Sequence, residues 1–321
     1  MEAVIDRSRP GRRLFDSDAL LIIQEGDIVN LSCYGRWTLE SLKLAEKFGV
    51  NRVYLTRDAF GQKKSIRFLL DLPDLRAVHI VVGHPVDMTA VSGLTKLEYL
   101  GIRGNDVEDL EGRRTPPIDF TPLVCLKEAN IEFCRPFESI LRCGALESLW
   151  LWNSRYYFPI SDLDFSGLQS LKKLQMTEWR KLKHLDLTAL KRLECLILEA
   201  IPMLREGGVT LHPKAKVRSF TMGRCGAYRI DWNRMGNDLV ELELQGGLRF
   251  PIEDILQAPY LRKFSTNGVR KFPPLQFLLQ LKELHFFDWF ASPPGPKFSK
   301  EDREVMAQIK ARDGLTAKDR R

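Results

Sequence analysis

Along most of the chain, leucines and other large apolar residues recur in one local pattern, and that pattern returns every 20–29 residues. The clearest copy is Leu94-Thr-Lys-Leu97-Glu-Tyr-Leu100-Gly-Ile102-Arg-Gly-Asn105. Two apolar residues three apart lead into an alternation of apolar and polar positions, which predicts a short strand with one buried face. Leu168, Leu171, Leu174 and Met176 keep the same frame, as do Leu190, Leu193, Leu196 and Leu198. Leu278, Leu281, Leu284 and Phe286 fit it as well. Weaker copies centre on Val53, Val78, Ala129, Leu149, Phe220, Leu242 and Phe264. Strand centres are therefore expected at residues 53, 78, 100, 129, 149, 174, 196, 220, 242, 264 and 284.

This frame, L-x-x-L-x-x-L-x-L-x-x-N in its fullest copy, resembles the leucine-rich-repeat family over about residues 45–290. The physics of such a repeat agrees. One unit cannot bury its apolar face alone, whereas stacked units share a continuous core. The resemblance implies the α/β class and a leucine-rich-repeat solenoid, with a curved parallel β-sheet on the concave side. Irregular chain, 3₁₀ turns or short helices are expected on the convex side. One position departs from the family pattern. Asparagine stands there only at Asn105; Asp58, Gly83, Cys134, Ser154, Trp179, Ile201, Cys225, Gly247, Val269 and Trp289 replace it elsewhere. The buried asparagine ladder is therefore expected to be mostly missing and the curvature uneven.

The ends read differently. Leu20–Ile23 and Ile28–Leu31 flank Gln24-Glu25-Gly26-Asp27 and predict a hairpin. Leu39 to Phe48 predicts a helix ended by Gly49. After Pro293-Pro294-Gly295-Pro296, Ser299 with Asp302 predicts a capped helix from Lys300 to Arg312. The resulting division is an N-terminal cap at 1–45, a solenoid of about eleven repeats at 46–290, and a basic C-terminal tail at 291–321. Lying past the last repeat centre, the tail helix is expected to be dispensable for the stability of the repeats.

Composition narrows the function rather than the fold. With 44% hydrophobic and 28% charged residues, the chain reads as globular, not as a disordered or collagen-like one. The apolar run Ala19–Ile23 is too short for a membrane span and too late for a signal-peptide core, so a cytoplasmic protein without membrane contact is expected. Six cysteines without a C-x-x-C pair read as reduced thiols. The net charge of +7 gathers at the ends: residues 293–321 carry eight basic and five acidic side chains. No nucleic-acid motif accompanies it, and nucleic acid is not expected as a partner.

Catalytic motifs are missing. The chain holds no G-x-x-x-x-G-K-[ST], G-x-G-x-x-G, H-E-x-x-H or G-x-S-x-G. Its five histidines are scattered and read as surface residues. Asp106, Glu108, Asp109 and Glu111 lack the ligand order of a calcium loop. No catalysis, metal, cofactor or small-molecule substrate is expected.

What remains is the face built from the residues between the inward leucines. Its first column reads Arg52, Ala77, Tyr99, Glu128, Ser148, Lys173, Cys195, Ser219, Glu241, Lys263 and Glu283. The other two columns contribute Tyr54, His79, Trp150, Glu243 and His285, then Arg103, Glu132, Trp152, Glu199 and Phe287. Trp150 and Trp152 share one strand, with Tyr156 and Tyr157 in the next loop. Tryptophan is the residue most enriched in binding hot spots. The three columns hold six acidic and four basic residues, opposite in sign to the whole chain. Since repeat surfaces typically wrap a protein partner, the resemblance implies a non-catalytic interaction scaffold. Its expected contacts are Trp150, Trp152, Tyr54, Tyr99, Arg103, Glu128, Glu132, Glu199, Glu241 and Glu243. The sharper expectation is an inhibitor or immunity protein that neutralises a basic bacterial toxin, such as a nuclease. The alternative is an adaptor, such as a substrate receptor of a ubiquitin ligase.

Overall fold

The computed structural model describes residues 12–63, 65–82, 86–104, 116–153, 163–205, 208–226, 232–246, 252–267, 274–290 and 298–312. The chain divides into two compact units, one of Met1–Trp152 with Ser166–Ser170, the other of Asn153–Phe165 with Leu171–Arg321. Asn105, the 106–111 carboxylates, Tyr156 and Tyr157 lie outside the described residues.

Unit 1 carries β1 (Arg12–Asp16), β2 (Leu20–Glu25), β3 (Ile28–Cys33), α1 (Leu39–Phe48), β4 (Arg52–Leu55), β5 (Ala77–Val81), β6 (Tyr99–Arg103), β7 (Glu128–Glu132) and β8 (Ser148–Trp152). The expected hairpin is β2–β3, and β1, which the sequence reading missed, pairs antiparallel on β2. From β3 onward every pairing is parallel and in chain order. Helix α1 starts where expected because Thr38 and Ser41 form a reciprocal capping box, and it stops at Gly49 in the left-handed region at φ 63°.

Unit 2 carries β9 (Lys173–Thr177), β10 (Leu185–Leu187), β11 (Cys195–Glu199), β12 (Val209–Leu211), β13 (Ser219–Gly223), α2 (Trp232–Met235), β14 (Glu241–Gln245), β15 (Lys263–Asn267), β16 (Phe286–Phe290) and α3 (Lys300–Ala311). Strands β9, β11, β13, β14, β15 and β16 pair in parallel in that order, while β10 and β12 form a separate parallel pair.

The same local chemistry builds each repeat. The second apolar residue of the frame donates its N–H to the carbonyl of the first, as Leu97 does to Leu94, Leu126 to Leu123 and Leu193 to Leu190. That tight turn swings the chain into the strand. The residue just before the strand then accepts two N–H groups from the following repeat: Arg76 from Glu98 and Tyr99, Glu194 from Arg218 and Ser219. Backbone groups at the strand entry are thereby satisfied without side chains. Inward residues such as Leu55, Ile80, Leu100, Leu151, Leu174, Leu198 and Leu244 are fully or almost fully buried.

The last strand corrects the sequence reading. Phe286 aligns with Lys263 and Phe287 with Phe264, so Phe287 is buried and stacks on Phe264 at 5.6 Å. The frame there is Leu281-Leu284-Phe287, one triplet later than expected. Phe286 and Asp288, not Glu283, His285 and Phe287, therefore share the face of Lys263 and Ser265.

Helix α3 also departs from expectation. Val305 and Ile309 are buried, the Asp302 carboxylate accepts the Leu275 N–H, and the Arg312 guanidinium donates to the carbonyls of Leu279, Leu281 and Leu284. It closes the apolar core behind the last strand instead of standing free.

At the former asparagine position Cys134, Trp179 and Ile201 are buried, whereas Cys225 is half-buried and Asp58 exposed. The turn out of each strand is held by backbone instead. Glu178, Ala200, Arg224 and Gly246 take positive φ and donate their N–H to the last residue of the next strand: Glu199, Gly223, Gln245 and Asn267.

Candidate functional site

On the open face of unit 1, turned away from the leucines, successive parallel strands set rings beside one another. Register aligns Tyr54 with His79, and the two rings stack at 5.2 Å between centroids. His79 lies against Tyr99 at 6.3 Å, with Nδ1 3.2 Å from the Tyr99 hydroxyl, and Tyr34 extends the row beside Tyr54 at 6.4 Å. The His79 ring occupies the space over Gly101, where a Cβ would come within 2.3 Å of Nδ1. Glycine there is what lets the imidazole lean across β6. Burial, reinforced by the charge of Glu128, pushes the Tyr99 phenol upward, so it stays protonated at neutral pH. Tyr54, His79 and Tyr99, with Asn30, Ser32, Arg52 and Glu128, line a groove of about 410 Å³.

Further along the face, the Arg103 guanidinium sits over both tryptophans, 5.1 Å from the Trp150 ring and 5.3 Å from Trp152. Trp150 and Trp152 are half-buried, so the pair is an ordered ring–cation–ring stack and not two free side chains. Beside it Asn130 is 8% exposed, and its Oδ1, like Arg103 Nε and Trp152 Nε1, has no hydrogen-bond partner among the described residues. The Glu132 carboxylate accepts the N–H of Gly104, fixing the turn out of β6. Glu128 is exposed at the groove edge.

The acidic residues expected with them lie in unit 2, each with a local partner. Glu241 pairs with Lys263 at 2.6 Å, Glu243 accepts the Gln245 amide at 2.6 Å, and Glu199 is 3.5 Å from the Thr177 hydroxyl. Thus Tyr54, Tyr99, Arg103, Glu128, Glu132, Trp150 and Trp152 share one face of unit 1, and Glu199, Glu241 and Glu243 share one face of unit 2. The sequence reading passed over His79, Asn130 and Tyr34. The second column already placed His79 between two tyrosine-bearing strands, and that neighbourhood was the signal for it.

Three of the thiols are not poised for chemistry. Burial pushes Cys33 and Cys143 up to about 12 and Cys225 to about 11, so they stay protonated, whereas the thiolate is the nucleophile. Among the described residues no group of three or more His, Cys, Asp or Glu could hold a metal ion. None of the described helices is long and apolar enough to cross a membrane.

One short parallel strand per leucine-framed repeat, entered through a 3₁₀-like turn and stacked in chain order, is the leucine-rich-repeat solenoid fold of the α/β class. No family model matches the chain, and no curated protein does. Solved structures similar to it include an internalin from Listeria monocytogenes, at 14% identity over 79% of this chain and 84% of that one, with a TM-score of 0.39. A Leptospira interrogans LRR protein matches at 13% identity over 85% of this chain and 91% of its own, with a TM-score of 0.32. The Drosophila Toll–Spatzle complex matches at 13% identity, a TM-score of 0.39, and 85% of this chain but 45% of that one. The fold assignment rests on the repeat and strand order of the chain itself.

Proposed function

We propose that this protein is a non-catalytic scaffold that binds another protein through the open face of unit 1. The observation that carries the reading is the stack of Trp150, Arg103 and Trp152. Large rings are held in one orientation before any partner arrives, which lowers the entropy lost on binding. The ring-lined groove of Tyr54, His79 and Tyr99 supplies a second anchor on the same unit.

Within this reading the protein inhibits its partner, as an immunity protein neutralises a toxin, and that partner is basic. Support comes from the open face of unit 2, where Glu199, Glu241, Glu243 and Asp288 outnumber Lys173 and Lys263. A cytoplasmic site of action belongs to the same proposal; its support is six cysteines in no disulfide. The adaptor alternative has no comparable support.

The test is affinity capture from the native cell with two baits, the natural chain and a Trp150→Ala, Trp152→Ala chain. A basic protein retained by the first and lost from the second, and whose activity the natural chain abolishes, is the expected result. Equal capture by both baits removes unit 1 as the interface. Capture without any effect on the partner's activity leaves a scaffold that is no inhibitor.

A further inference from the structure

The two units differ along a second surface, the edge where chain enters each strand. In unit 1 the entry turns of β5 to β8 carry Arg76, Lys96 and Lys127 against Asp74, Glu98 and Glu147, an even balance. Opposite charges meet across repeats there: Lys96 bonds Asp74 at 2.9 Å and Arg76 faces Glu98 at 3.9 Å. The corresponding turns of unit 2 carry eight basic residues, Lys172, Lys191, Arg192, Lys214, Lys216, Arg218, Arg262 and Lys282, against Glu194, Asp238 and Glu283. All eight are exposed. Arg262 pairs with Glu283 at 3.8 Å, but Lys191, Arg192, Lys214, Lys216 and Arg218 form no ion pair among the described residues. Like charges on strands about 4.8 Å apart repel, so the fold gains nothing from this excess. The ring of Tyr260, 59% exposed, stands among them. With Lys216, Arg218, Asn237, Val240 and Arg262 it lines a groove of about 460 Å³.

We propose that this edge of unit 2 is a second docking surface, separate from the open-face site, and that it takes an acidic segment of a protein partner. The cations supply charge complementarity, while Tyr260 and Val240 supply an apolar contact for a residue between the partner's carboxylates. A nucleic acid fits less well. Glu194 and Asp238 line the same groove, and a backbone with a phosphate at every step meets them, whereas a peptide spaces its carboxylates by sequence. Single-strand binders also stack successive bases on successive rings, and this groove offers only Tyr260.

The test is a fluorescence-anisotropy titration of the full chain with a labelled synthetic peptide of paired glutamates flanking a phenylalanine. A labelled DNA duplex and a labelled single strand are run in parallel. The peptide is expected to bind at low salt and to lose at least ~10-fold in affinity in a Lys216→Glu, Arg218→Glu chain. Tyr260→Ala should lose several-fold, while Arg76→Glu, on the balanced edge of unit 1, should stay within about twofold. Thermal melts of all variants establish that they fold. Should the double reversal unfold the chain, Lys216→Gln with Arg218→Gln is expected to give a smaller loss in the same direction. No measurable peptide binding, or affinity unchanged by removing both charges, overturns the proposal. DNA binding as tight as the peptide's, with Tyr260→Ala affecting neither, overturns it in favour of a nucleic-acid surface.

Discussion

Unit 1 and unit 2 run on the same repeat but spend its variable positions differently. On the open face of unit 1, rings fill the columns and two acidic residues, Glu128 and Glu132, balance Arg52 and Arg103. On the open face of unit 2, small and polar residues dominate and carboxylates are in excess, each described one among Glu199, Glu241 and Glu243 held by a neighbour. The strand-entry edges reverse the contrast, balanced in unit 1 and strongly cationic in unit 2. The lesson is that a stacked repeat fixes its core positions and its backbone bonds and leaves three columns and one edge nearly unconstrained. Most of the chemistry that collects there is not dictated by the packing of the core.

Removing everything from Lys300 onward separates the units most sharply. It strips Val305, Ile309 and the Arg312 bonds from the last repeat, and two buried aliphatic side chains alone are worth ~3–6 kcal/mol. Hydrogen exchange should quicken in β15 and β16 while β4 to β7 keep their protection. Uniform loss of protection through both units would mean that they melt as one.

Replacing Trp150 and Trp152 by alanine should weaken partner binding by at least ~2 kcal/mol. Folding should lose less, about 1–2 kcal/mol, since the rings are half-buried and give up chiefly the Arg103 contact. Reversing Glu241 and Glu243 to lysine in unit 2 is the matched control. A larger binding loss from that pair than from the tryptophans would move the interface to unit 2.

The helix caps allow a finer comparison. Asp302→Ala removes the acceptor of both the Leu275 and Ser299 N–H groups and should cost ~1 kcal/mol at neutral pH. The Leu275 N–H, first among the causes, holds the Asp302 carboxyl below its ordinary 3.8. A depressed pKa contributes stability that is present above that ordinary value and disappears as pH falls through the folded one. Denaturant melts of the two chains should therefore differ at neutral pH, begin to approach each other only below about pH 4, and converge once pH has fallen through the lowered folded value. Thr38→Ala in the α1 cap of unit 1, an uncharged acceptor, should show a gap that ignores pH across that range.

The smallest effect has the opposite sign. Unit 1 leaves β6 through Gly104 at φ 75°, whereas unit 2 leaves β9, β11 and β13 through Glu178, Ala200 and Arg224 at φ between 51° and 64°. A residue with a Cβ pays ~1 kcal/mol in that region, so Ala200→Gly should stabilise unit 2 by ~0.5–1 kcal/mol in a thermal melt. Destabilisation would show that Ala200 packs well enough to outweigh its strain. Gly104→Ala must do the reverse, because its Cβ would lie 2.0 Å from the Val82 carbonyl oxygen.

Much of this was legible in the residue order. The leucine frame located ten of the eleven repeat strands, since an apolar pair alternating with polar neighbours has one way to lie in a parallel sheet. Gly49, Ser299 and Asp302 marked helix ends in advance, because capping is local chemistry. The site was legible only as columns of outward residues, Trp150 and Trp152 first among them. Where the triplet spacing recurs, order alone is ambiguous: Leu278-Leu281-Leu284 and Leu281-Leu284-Phe287 both satisfy the frame. The packing of Phe287 against Phe264 chose the second. Tertiary structure alone set Arg103 between two tryptophans from a strand two places away, turned Glu132 onto Gly104, and packed α3 over the last repeat. The cited contacts join residues 28 or more positions apart, where the sequence carries the period of the backbone but not the direction a side chain takes once its neighbours are in place.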